Sequence, residues 1–174
     1  QNWGVTDIYK VVDNIIDRMV DLIRQNPQPL PGVIDTLEFL EKQPIKMGLA
    51  TSSPVRLIDA VLNHLNIRTF FDAIHSAEFE PYGKPHPAVY LSTAKTLALS
   101  PEHCLVIEDS LNGIISAKAA LMQVVCIPEK THFPNPKLGL ADFHFESMNL
   151  LTNSTVPVSI LSTSAGSGSA HTKT

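Results

Sequence analysis

The sequence predicts an α/β fold, a doubly wound parallel sheet with helices on both faces. Apolar runs of strand length alternate with segments of helical period from Val33 onward, the pattern of strands joined by crossover helices. One run, Cys104-Leu105-Val106-Ile107, has no polar face, as in a parallel strand covered on both sides. It ends in two adjacent acids, Glu108 and Asp109. The carboxyl ends of such strands are where open α/β sheets bind ligands. Charges there are costly unless compensated, so the pair points to a bound cation or phosphate.

The elements follow in order. Behind Thr6 and Asp7, residues Ile8, Val11, Val12, Ile15, Ile16, Met19, Leu22 and Ile23 recur at helical spacing, which predicts an amphipathic first helix. Asp7, Asp13, Asp17 and Asp21 fall on the same pattern and read as a solvated face. The stretch NPQPLPG, 26–32, breaks that helix. A helix is expected over about 33–40, then a strand IKMGLA and a helix opened by Ser53 and Pro54 as cap and first-turn residue. A short strand is expected near DAIHS and a helix over about 88–99. The strand CLVIE, a helix after Asn112, the strand QVVCI and a short strand near DFHF complete the series.

Composition narrows the function classes. The 174 residues are 44% hydrophobic with a net charge of −4, enough for one sizeable core and adverse to nucleic-acid binding. No apolar run approaches membrane-spanning length. Two cysteines, Cys104 and Cys126, sit in apolar runs with no zinc or disulfide spacing, so a reducing compartment, the cytoplasm, is expected. From residue 152 to 174, eleven of 23 residues are Ser or Thr, and this tail is expected to be disordered. Its sequon at Asn153 reads as chance. His64, His75, His103 and His144 show no metal-ligand spacing.

Two further clusters accompany the acidic pair. Thr51, Ser52 and Ser53 follow the apolar Leu49-Ala50 at a strand end, placing hydroxyls and free N–H groups where an anion is favoured. Ser53 is expected only to cap. Lys84 lies in PYGKPHPAVY, where Pro85 and Pro87 stiffen the chain on either side of His86. A lysine, a strand-end hydroxyl and two acids on one sheet make a phosphate clamp with a metal. Tyr82 and His86 share the Lys84 loop and are weaker candidates.

GLATSSP, YGKPHPAVYL and VIEDSLNGIISAKAA, in that order, resemble motifs two, three and four of the haloacid dehalogenase superfamily, over roughly residues 3–151. The wording is nearest to its sugar-phosphate phosphatase and β-phosphoglucomutase subfamily, and within it to the hexitol phosphatases. The resemblance implies an α/β core over 31–151 with a helical cap, of which 1–30 would be a remnant. It implies that Thr51, with the Ser52 backbone beside it, binds the transferring phosphoryl group and that Lys84 neutralises its charge. It implies that Glu108 and Asp109 hold Mg²⁺, and that the substrate is a phosphorylated sugar or sugar alcohol. The complete protein is expected to be a monomer.

The family's opening Asp-x-Asp, whose first Asp attacks phosphorus, does not occur before Thr51. The resemblance therefore implies an N-terminally incomplete phosphatase, missing the central strand between those ending at Thr51 and Glu108. The chain alone is expected to be inactive. A mutase, or a non-catalytic protein that keeps the clamp, stays open as an alternative. A phosphoacceptor receiver domain uses similar residues in another order, acids first and lysine last.

Overall fold

The structure, a computed structural model, describes residues 7–26, 28–128 and 136–152. Its main elements are α1 (Ile8–Gln25), α2 (Val33–Glu41), β1 (Gly48–Thr51), α3 (Val55–His64), β2 (Ala73–Ser76), α4 (Ala88–Leu97), β3 (Leu105–Glu108), α5 (Leu111–Ala119), β4 (Gln123–Cys126), β5 (Phe143–His144) and α6 (Asn149–Thr152). The alternation is the one the hydrophobic periods predict. Of the expected tail, all but Thr152 lies outside the described residues, as do Trp3 and Thr6.

Among the described residues all strand pairing is parallel, and it falls into two sheets. In the first, β1 pairs with β2 from Gly48 opposite Ala73 to Thr51 opposite Ser76. In the second, β4 lies between β3 and β5, with Glu108 opposite Cys126 and Val125 opposite Phe143. The division falls between β1 and β3, where the family pattern has a further strand.

Two apolar clusters flank the strands. Val89, Tyr90, Ala94, Val106, Ile114, Val124 and Cys126 pack between α4, α5 and the second sheet, with Ala50 of β1 at their margin. Leu37, Ile58, Leu62 and Ile67 form the other cluster with Leu49 and Ile74 of the first sheet. Helix α4 lies against β1, β2 and α5. Close approach to β1 is possible because Gly48 has no side chain: a Cβ there would lie 2.6 Å from Thr93 Cγ2.

Several local expectations are corrected. Strand β3 is not covered on both sides: Val106 and Glu108 are buried, but Ile107 on the opposite face is 38% exposed. Ser53 does not cap α3. The cap position belongs to Pro54, and the Val55 N–H donates instead to Glu78 Oε2 at 3.0 Å, an acid 23 residues away that local pattern cannot reveal. Helix α5 begins at Leu111, earlier than the sequence suggests, because Ser110 caps it by accepting from the Gly113 N–H at 3.0 Å. Helix α6 has no counterpart in the hydrophobic pattern; it packs on α2, whose buried Thr36 donates to the Met148 carbonyl.

Helix α1 packs along α3, held there by Arg56, which pairs with Asp13 and Asp17. Asp7 caps α1 by accepting from the Lys10 N–H at 3.2 Å. No α1 residue is buried, and Ile8, Val12, Ile15, Met19 and Leu22 are exposed. The predicted acidic face is thus polar and solvated, while the apolar face is largely bare.

The start of α5 against β3 requires glycine at 113. A Cβ on Gly113 would fall inside the Glu108 carboxylate. In an ordinary helix Gly→Ala stabilises by about 0.5–1 kcal/mol, whereas here it must displace a buried, ion-paired acid. Gly113→Ala is therefore expected to lower stability in urea denaturation. A stabilised variant would show that the contact yields freely.

Candidate active site

Glu108 ends β3 with its side chain turned inward, 7% exposed, and Lys84 reaches it from the loop before α4, 11% exposed. Lys84 Nζ donates to Glu108 Oε1 at 2.5 Å, to the Tyr90 hydroxyl at 2.9 Å and to the Ala50 carbonyl at 3.2 Å. Its three hydrogens thus have three acceptors. Ala50 precedes Thr51 on β1, so one ammonium touches the ends of both sheets. The loop carrying Lys84, which has a cis Lys84–Pro85 bond, is tied to α5 by Ser116, whose buried hydroxyl donates to the His86 carbonyl at 2.8 Å.

The Glu108 carboxylate is saturated. Oε1 also accepts from the Tyr90 hydroxyl at 2.5 Å. Oε2 accepts from the N–H groups of Asp109 and Ser110, each at 3.2 Å, and from the Ser110 hydroxyl at 3.0 Å. Burial works to raise its pKa, but the charge and hydrogen bond of Lys84, with help from Tyr90 and the Ser110 N–H, outweigh this and hold it below the usual range. Tyr90 moves the other way: burial and the adjacent Glu108 carboxylate push its phenol far up, so it stays protonated and acts as donor toward Oε1.

Asp109 differs from its neighbour. It is exposed, and partial desolvation followed by the charge of Glu108 raises its pKa. No ion pair among the described residues reaches it. Such a carboxylate is relieved by a cation. The described residues hold no group of three or more His, Cys, Asp or Glu that forms a metal cage. One open carboxylate beside one saturated one suits Mg²⁺, a hard cation that keeps waters and phosphate oxygens around one or two protein carboxylates.

Thr51 ends β1, and its hydroxyl oxygen accepts from the Ser53 N–H at 3.1 Å, rounding the chain toward α3. The Ser53 carbonyl in turn accepts from the Ser76 hydroxyl at 2.7 Å. Ser52 lies exposed between them. The structure thus gathers Lys84, Glu108 and the end of β1 into one cluster, with Asp109 next in chain at the end of β3.

Sequence reasoning missed Tyr90 and the bonding of Ser110. Tyr90 sits in an apolar helical pattern and reads as core, although a buried tyrosine hydroxyl always raises the question of its partner. Tyr82 lies against His86 with ring centroids 5.1 Å apart, and His75 is bonded to Thr96. A hollow of about 350 Å³ between α3 and β2, lined by residues such as Ile58, Arg68, His75 and Phe79, contains none of the predicted site residues. Its Arg68 is already paired with Asp59.

Residues 4–120 match the family model of the haloacid dehalogenase-like hydrolases. The chain is 38% identical to hexitol phosphatase B of Escherichia coli K12 over 152 residues, 87% of this chain and 68% of that protein. Among solved structures it resembles β-phosphoglucomutase from Clostridium difficile, with 34% identity and a TM-score of 0.65, covering 76% of this chain and 57% of that one. CbbY from Rhodobacter sphaeroides, in complex with phosphate, superimposes with a TM-score of 0.77 over 84% of this chain and 67% of that one; at 24% identity this likeness bears on the fold alone. By the extent of the family match and of the hexitol phosphatase likeness, the chain belongs to the haloacid dehalogenase-like hydrolases, as a phosphatase-type member of that family.

Proposed function

We propose that the cluster is the phosphate-handling half of a Mg²⁺-dependent phosphatase acting on small phosphorylated sugars or sugar alcohols in the cytoplasm. The observation that carries this reading is Lys84, a partly buried ammonium reaching the ends of β1 and β3 at once. The likeness to hexitol phosphatase B supports the substrate class.

Charge balance supports the metal. Glu108, Asp109 and Lys84 together carry one net negative charge, and a phosphate monoester dianion would add two more. A divalent cation offsets most of that excess. Mg²⁺ would be held by Asp109, whose carboxylate is open, while Glu108, with its oxygens taken by Lys84, Tyr90, the Asp109 N–H and Ser110, would contribute its negative charge nearby rather than a free oxygen; when bound, Mg²⁺ would supply Lewis-acid stabilisation of phosphoryl charge. Lys84 holds positive charge where that group would sit, and Thr51 with the Ser52 backbone offers hydrogen bonds from the other sheet. The attacking group is proposed to be the first carboxylate of an Asp-x-Asp on an apolar strand between β1 and β3: its new O–P bond forms as the ester O–P bond breaks, the second Asp protonates the leaving sugar oxygen, and water then cleaves the aspartyl phosphate to free phosphate and the carboxylate. No Asp-x-Asp precedes Thr51 in this sequence to supply it.

Three outcomes are expected. Residues 1–174 assayed alone at saturating Mg²⁺ should not hydrolyse hexose or hexitol phosphates, and adding an N-terminal apolar strand ending in Asp-x-Asp should restore turnover. Metal-dependent turnover by the clean 174-residue chain would require another nucleophile. In the restored enzyme, Lys84→Met should lower kcat by about 10² to 10³, the scale for losing one preorganised donor, and Thr51→Val should cost less. Asp109→Ala should abolish turnover and Mg²⁺ binding measured by calorimetry; full activity after exhaustive chelation would remove the metal from the scheme.

The likeness to β-phosphoglucomutase favours a second reading, transfer of the phosphoryl group within the substrate. Products of the same assay separate the two: free phosphate for hydrolysis, an isomeric sugar phosphate for the mutase.

A further inference from the structure

We propose that Tyr90 is a positioning residue of this site: its hydroxyl fixes the Lys84 ammonium and the Glu108 carboxylate relative to each other and thereby aims Lys84 at the bound phosphate. The second half of this statement rests on the phosphate reading above; the first does not. The hydroxyl donates to Glu108 Oε1 at 2.5 Å and accepts from Lys84 Nζ at 2.9 Å. Lys84 Nζ donates to that same Oε1, so the three polar groups close a triangle.

The triangle removes the freedom a lysine ordinarily keeps. A lysine stem has four rotatable bonds, and a single ion pair leaves the ammonium able to swing about its partner. A second contact at 2.9 Å from a rigid ring constrains that motion, and Nζ also lies 4.5 Å from the centroid of the same ring. The ring itself is anchored in the α4–α5 core, where Tyr90 is 6% exposed. Tyr90 is thus the link through which the packed core sets the place of the charge.

The test is Tyr90→Phe, which keeps the ring and deletes one oxygen, made in the complete protein. Two readouts are followed, the Lys84 ¹⁵Nζ ammonium signal by NMR at low temperature, and the affinity for inorganic phosphate in the presence of Mg²⁺ by calorimetry. Lys84→Met serves as the control for both. In the wild type, the triply bonded ammonium is expected to give a protected, slowly exchanging signal. In Tyr90→Phe that signal should broaden or vanish while the backbone amide spectrum persists, and phosphate affinity should fall about three- to tenfold, the scale of one hydrogen bond. A Lys84 signal and phosphate affinity both unchanged in Tyr90→Phe would overturn the proposal, as would loss of the backbone spectrum in Tyr90→Phe, since the role would then be structural. If wild type and Lys84→Met bind phosphate equally, or neither binds, the phosphate reading fails, while loss of the ammonium signal in Tyr90→Phe still upholds the hold on Lys84.

Discussion

Lys84 Nζ is the contact on which the rest of the arrangement turns, because the two sheets it touches share no described ladder between them. It donates to β1 at the Ala50 carbonyl and to β3 at Glu108. Helix α4 supplies the other bridge, packing on the first sheet while its Tyr90 points to the end of the second. A buried ion pair by itself is weak evidence of stability, since desolvating both partners offsets much of their attraction. What makes this one favourable is that each remaining polar group has a partner: three acceptors for the ammonium and five hydrogen bonds on the carboxylate. Removing either charge would leave the other largely desolvated and without its counter-charge.

That saturation also explains why adjacent acids diverge in behaviour. Alternation along a strand sends neighbours to opposite faces. Glu108 therefore turns under α4 and α5, where Lys84 and Tyr90 meet it, and Asp109 turns out at the strand end. The turn is stabilised by Glu108 itself, whose Oε2 gathers the N–H groups of the next two residues and the Ser110 hydroxyl. Ser110 then accepts from Gly113 to start α5. One carboxylate thus fixes the lysine on one side and the helix N-terminus on the other, leaving the second acid open to solvent.

Much of this could be read from the sequence because the informative signals are local. The strands ending at Thr51 and Glu108 are short apolar runs that stop at polar clusters, and the helices between them carry clear periods, so element types and order were legible. What could not be read depends on side chains meeting across the fold. Glu78 caps α3 from beyond β2, displacing Ser53 from the role its identity suggests. Tyr90 looks like one more apolar residue of α4 until its hydroxyl is seen against Glu108. Ile107 belongs to a run with no polar face, yet it is exposed, because coverage is decided by which elements lie over the strand and not by the strand's own composition.

The same geometry constrains how an anion can bind. Lys84 has no spare N–H in this state, so a phosphate oxygen must take the place of one of its acceptors. The contacts at 2.5 Å and 2.9 Å are to a carboxylate and to a phenol fixed by the core, whereas the contact to Ala50 is the longest, at 3.2 Å, and is made to a neutral carbonyl. Exchanging that carbonyl for a charged oxygen sets the ammonium against a full anionic charge in place of a carbonyl dipole, and keeps the pair with Glu108 intact. Exchanging Glu108 instead would leave a buried carboxylate short of its main counter-charge, beside an Asp109 already destabilised by it. The least costly route therefore swings the ammonium away from β1 about the Tyr90–Glu108 pivot. It also frees a backbone acceptor on β1, facing the division between the sheets, for a donor that enters with the ligand or with a neighbouring strand.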